Sequence, residues 1–224
     1  MTITSTGLTR AAGAAAAVAG TIFVAVQINH PPMDAATTET ADWIVRSGAK
    51  AVMCALALVG ITGMYLWSRR SSVLALAGYL VFAAGYLLMF AVEVIAATVL
   101  PTLAGSDPRY VNDVLTAAAG GAPVGDIGGL QTVLNLSGVG YLAGGLLFGI
   151  ALFRAGVLAR WASVLLAVGT TSTAALAVLP EAFNRPLAVP VGIALIGLGV
   201  SLWRRAGGVD APRPVRPAAA SVVR

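Results

Sequence analysis

The sequence predicts an all-α fold: a polytopic membrane helix bundle of about six transmembrane helices with both termini inside. Three observations predict it. Hydrophobic residues fill 58% of the 224 positions and charged residues only 10%, against roughly 25% charged in soluble domains, so the chain cannot coat an aqueous globule with polar surface. The apolar residues gather in six runs, each near the roughly 20 residues that a helix needs to cross a hydrocarbon core about 30 Å thick. The basic residues stand in short clusters between those runs and are unequally shared between the two sides.

The runs are approximately Ala11 to Ile28, Lys50 to Trp67, Val73 to Leu100, Leu130 to Phe153, Trp161 to Leu179 and Leu187 to Trp203. The first follows Arg10 and is Ala-rich, as a signal peptide is, but no clear small-residue cleavage site precedes the polar segment at Asn29. A retained helix is expected. On one side fall Arg10, Arg69, Arg70, Arg154, Arg160 and the five arginines from Arg204 to Arg224, ten in all. The other side has four, Arg46, Lys50, Arg109 and Arg185, together with seven acids. Cytoplasmic loops collect Lys and Arg, which puts the first side inside. The net charge of +5 then reflects orientation and not a nucleic-acid partner. Membrane lipids and a lipophilic small molecule are the expected partners, in a multi-pass protein of the cell membrane.

Residues 1–205 form the expected transmembrane domain. Residues 206–224, with Gly207-Gly208 and three prolines among arginines, cannot bury a core and are read as a disordered basic cytoplasmic tail able to lean on anionic lipid. The short inner loops make the second and third helices, and the fourth and fifth, antiparallel neighbours. The outer connections carry more pattern. Asp34 to Arg46, after the helix-stopping Pro31-Pro32, reads as an amphipathic helix with acids early and an Asp42–Arg46 pair four apart. Asp107-Pro108 is an N-cap and first-turn pair, and Val111, Val114, Leu115 and Ala118 keep helical spacing up to Gly120-Gly121. Gly13 and Gly20, and Gly140, Gly144, Gly145 and Gly149, allow close helix approach.

Glu93 is the most informative residue, the one charge inside the run from Val73 to Leu100. An ionisable group at such depth faces the bundle interior and has a partner or a task. Three readings stay open: an ion pair with Lys50 that fixes helix register, an acid or ligand contact, and a side chain that snorkels outward. Gln27, His30, Gln131 and Asn135 are further polar groups of the outer half, while the inner half is almost uniformly apolar. That distribution suggests a blind pocket and not a through channel. Phe90, Met89 and Tyr86 lie three, four and seven residues before Glu93 and share its helical face. Cys54 is the only cysteine and His30 the only histidine, so neither a multi-ligand metal site nor a bis-His haem site is expected, and no cofactor is. No phosphate loop, nucleotide fingerprint or fixed-period repeat occurs.

The strings Gln27-Ile28-Asn29-His30-Pro31, Gly60-Ile61-Thr62-Gly63-Met64-Tyr65-Leu66 and Tyr110-Val111-Asn112-Asp113-Val114 resemble those of small integral membrane proteins of actinobacteria. More loosely, the size, the helical bundle and the lone intramembrane acid are similar to membrane-bound terpene cyclases acting on prenylated precursors. No catalytic motif of that family occurs, so no residue is carried over from it. One expectation is therefore a cyclase or isomerase of a prenylated lipophile, started by proton transfer from Glu93, with the rings of Tyr86, Phe90 and Tyr141 facing developing positive charge and Gln131 and Asn135 orienting the acid. In the same pocket Gln27, His30 and Lys50 would contact substrate. The alternative is a lipophile-binding, transport or accessory protein that uses the pocket without bond making.

Overall fold

The computed structural model describes residues 4–68, 72–174 and 184–209, the backbone alone at 184, 185, 208 and 209. Among the described residues the secondary structure is entirely helical. Five helices are long and apolar enough to cross a membrane: α1 (Ser5–Ala25), α3 (Ala41–Trp67), α4 (Val73–Thr98), α7 (Gly129–Ala155) and α9 (Asn184–Val209), the last through its stretch Pro186–Gly207. The short α2 (Ala35–Thr38), α5 (Leu100–Ala104) and α6 (Pro108–Ala118) lie between them, and α8 (Arg160–Ser172) follows α7. The fifth expected span, Trp161 to Leu179, runs beyond residue 174 and is in part outside the described residues.

Packing closes the long helices and α8 into a ring. Going round it, α3 packs on α1, α1 on α9, α9 on α8, α8 on α7, α7 on α4, and α4 back on α3. The antiparallel neighbours expected from short connections are present as the α3–α4 and α7–α8 pairs. The ring interior holds the main core, with Met53, Ile61, Phe82, Tyr86, Phe148, Leu166 and Leu198 at its centre. Side chains on the outer faces, such as Val52, Val59, Leu80, Leu87 and Leu136, are apolar and exposed.

In lipid the hydrophobic effect does not draw helices together, so contact depends on how closely backbones can approach. Glycine sets that distance here. A Cβ on Gly140 would stand 2.8 Å from the Cα of Gly85, and one on Gly13 2.8 Å from the carbonyl oxygen of Gly199, both closer than real contacts allow. On the side of α7 that meets α8, Gly145 faces Thr170 and Gly149, four residues on, faces Ser163 and Ala167. Gly156, with φ 63°, is the left-handed residue that ends α7 and turns the chain toward α8.

At one end of the ring α2, α5 and α6 form a cap with its own core. Val111, Val114 and Leu115 of α6 pack with Ala35, Trp43, Leu100, Ala104 and Ile127. The α6 reading holds: the Asp107 carboxylate accepts from Tyr110 N at 3.1 Å and Pro108 starts the first turn. Asn112 Oδ1 accepts from Ala35 N at 2.8 Å and so ties α6 to α2, while Asp113 accepts from Val124 N and Gly125 N at 2.8 and 3.0 Å and holds the following loop. Arg46 fixes the connection from α1: it pairs with Asp42 at 2.9 Å and donates to the carbonyl of Ile28 at 2.8 Å.

Two expectations are corrected. Asp34 to Arg46 is not one amphipathic helix, because the Thr40 hydroxyl accepts from Trp43 N at 3.3 Å and starts a new helix there. Asp42 and Arg46 therefore sit on the first turns of the long α3, which buries Trp43. Helix α9 runs on to Val209, so the tail expected from residue 206 begins as helix, and its remainder, 210–224, lies outside the described residues.

Candidate functional site: a charged cavity under the cap

A cavity of about 800 Å³ lies between the cap and the main core. Its walls come from the cap-side turns of α1, α3, α4 and α7, and the end of α6 from Ala117 to Gly120 closes it from the cap side. The lining is chiefly apolar: Phe23, Val26, Met33, Met53, Met89, Val92, Leu134, Val139 and Leu142. Into it come Gln27, Lys50, Glu93, Asn135 and Ser137.

The charges form a chain across two helices and a loop. Lys50 Nζ of α3 stands 3.7 Å from Glu93 Oε1 of α4, and the two side chains are 16% and 17% exposed. Lys50 Nζ also lies 3.2 Å from His30 Nε2. The other ring nitrogen of His30 is 2.8 Å from the carbonyl oxygen of Pro31, and since a carbonyl only accepts, Nδ1 carries the proton. Nε2 then faces the ammonium as an acceptor. Trp43 backs the cluster: its indole meets the His30 ring edge-on at 6.0 Å between centroids, and its Nε1 donates to the carbonyl of Ala96 at 2.9 Å. That bond holds α3 against α4 just above the ion pair.

The sequence-expected residues thus divide. Gln27, Lys50, Glu93 and Asn135 line the cavity, and His30 reaches it through Lys50. Gln131 stands one turn from Asn135 and donates to its Oδ1 at 3.0 Å, so it orients a wall residue without itself being on the wall. Tyr86, Phe90 and Tyr141 are not among the lining residues. Tyr86 and Tyr141 belong to the main core, their rings 6.0 Å apart edge to face, and Phe90 packs against that core. The hydroxyls of Tyr86 and Tyr141 are buried with no hydrogen-bond partner among the described residues.

Several wall residues had no separate sequence signal. Met33 follows Pro31-Pro32 in what read as a connection, and Ala117 to Gly120 read as a helix end. Ser137, whose hydroxyl approaches the Gly85 carbonyl at 3.4 Å, is one polar residue among many in α7. A small side chain gives no pattern until its neighbours are placed. No cluster of His, Cys, Asp and Glu suited to a metal ion exists among the described residues.

Fold and site together define a multi-pass helical membrane protein with a charged, apolar-walled cavity at one end of its bundle. Comparison with protein-family models, with curated proteins and with solved structures finds no match to the chain.

Proposed function

We propose that this is an integral protein of the cell membrane that binds a lipophilic molecule in the cavity under the cap, its apolar body against the Met and Val walls and its polar end on Lys50, Glu93 and His30. One observation carries the reading: an ionic cluster projects into a largely apolar space of about 800 Å³, within the range of roughly 300 to 1,000 Å³ typical of small-molecule sites. Such a site fits a ligand that is mostly hydrocarbon with one polar or charged end. The arrangement proposed is six spans with both termini cytoplasmic and the cap outside. It is supported by the ten-to-four division of basic residues and by the place of α8 in the ring of long helices.

A second reading is a cyclase or isomerase of a prenylated substrate, started by a proton from Glu93. What favours it is that the Glu93 carboxyl is itself on the cavity wall. Against it weigh the Lys50 ammonium already beside that carboxyl and the absence of Tyr86, Phe90 and Tyr141 from the wall, which leaves the expected aromatic faces off the substrate space.

One experiment addresses both. Purified protein in micelles is titrated with a polyprenyl alcohol bearing a fluorescent group and then extracted for mass spectrometry. Saturable binding that Lys50→Met weakens, with the probe recovered unchanged, is the expected result. A rearranged product that disappears in Glu93→Gln while binding persists would establish the enzyme instead. Absence of saturable binding would remove both readings for prenyl ligands.

A further inference from the structure

We infer that the bundle end opposite the cap holds a binding site for one anionic phospholipid, in the groove between α8 and α9. The groove, about 610 Å³, is walled by Ile193, Ile196 and Val200 of α9 and by Trp161 of α8, and it ends at Arg204 and Arg205. From Ile193 to Arg205 the helix rises roughly 18 Å, close to the depth of one leaflet's hydrocarbon, about half of 30 Å. The apolar wall therefore matches one acyl chain and the two guanidinium groups stand where its phosphate would be. Trp161, exposed at the first turn of α8, is the amphipathic ring expected at headgroup level.

The arginines at this end are not equivalent. Arg10 stacks on the Trp203 ring at 4.9 Å and Arg160 on Phe153 at 5.7 Å. Arg204 and Arg205 are exposed, line the groove and form no ion pair, hydrogen bond or ring contact with the described residues, which leaves both guanidinium groups available to a ligand there. The groove is also fixed in shape. Ser201 Oγ accepts from Ala159 N at 3.0 Å, which locks the start of α8 to α9, and the Trp161 ring lies over Gly197, where any side chain would displace it. Guanidinium favours phosphate because its planar fork donates two parallel hydrogen bonds, and a lipid phosphate is the anion available at this depth. This site is separate from the cavity under the cap and does not depend on what that cavity binds.

The test compares phosphatidylglycerol with phosphatidylcholine on the full chain. Native mass spectrometry from mixed micelles should show one phosphatidylglycerol retained in preference, and brominated-chain phosphatidylglycerol should quench a component of tryptophan fluorescence that Trp161→Phe lacks. The double variant Arg204→Gln with Arg205→Gln should lower the preference roughly 30-fold, the effect of two interfacial charges of about 1 kcal/mol each, while Arg10→Gln should leave it intact. Equal retention of the two lipids by the wild-type protein would overturn the proposal, and so would equal loss in Arg10→Gln, since that would mean general charge and not a site.

Discussion

Lys50 is the residue on which the cavity turns, since it meets Glu93 at 3.7 Å and His30 at 3.2 Å and so couples α3 to α4 and to the chain after α1. Removing its acid leaves a cation in an apolar wall. Glu93→Gln should cost roughly 3 kcal/mol, the lower end for breaking a buried pair because His30 still accepts from the ammonium, and Lys50→Met added to it should restore much of the loss. Thermal unfolding in detergent of the two single variants and the double one reads this, and strictly additive losses would show that the two residues do not interact. Asp34 offers a pH test outside the membrane. The Thr37 N–H, donating to its carboxylate at 2.8 Å, holds that carboxyl below the usual range. A carboxyl with a lowered folded value contributes stability above its unfolded pKa and loses it as pH falls through the folded one. The protection of amides 35–38, taken relative to the intrinsic exchange rate at each pH, should therefore fall at acid pH, below the ordinary carboxylate range, and in Asp34→Ala it should be low throughout with no such step. Glu93 was legible in the sequence because a single charge in a long apolar run must be accommodated, and Lys50 because it starts a run on the same side. The place of Tyr86 was not. A spacing of seven gave it the face of Glu93, but helical period fixes a direction from the axis and not the layer of core that the side chain enters.

Helix pairing here follows from which residues are small. Gly140 and Gly85 stand back to back, so Gly140→Ala should push α7 from α4 and destabilise by about 1 to 3 kcal/mol, the range for overpacking. Gly138, two residues earlier on the same helix, has open space around the position of a Cβ, and Gly138→Ala should be close to neutral. Equal effects of the two would mean that helix propensity and not close approach decides. The glycine spacing was readable in the sequence, yet the partners were not: the α1–α9 pair joins the two ends of the chain, and no local pattern announces it. At the cap the reading of α6 succeeded because Asp107 and Pro108 are a local signal. It failed for Asp34 to Arg46 because the Thr40 cap competes with continuation of one helix, and burial of Trp43 against Ala96 selects the break.

Taken whole, the molecule is a ring of helices capped at one end, with its charged cavity beneath the cap and Arg10, Arg154, Arg160, Arg204 and Arg205 at the other end. The distribution of charge leads to a topological prediction: a cysteine introduced at Ser106, in the cap, should react with an impermeant thiol reagent on intact cells, and one at Ser71, between α3 and α4, should be protected. The reverse pattern would invert the proposed orientation without altering the cavity. Composition and run length made the fold class legible because lipid excludes almost every alternative to the helix. The cavity was legible only as a concentration of polar groups toward one side, since a void is a property of packing. Its occupancy is the central claim, and lipid mass spectrometry of gently purified protein tests it most directly. Wild-type protein should carry a lipophile distinct from bulk phospholipid. Gly138→Trp, which places a bulky ring on the cavity wall at a position with room for a side chain, and Lys50→Met, which removes the polar anchor, should both reduce the amount carried. The same lipid spectrum from all three proteins would contradict the account.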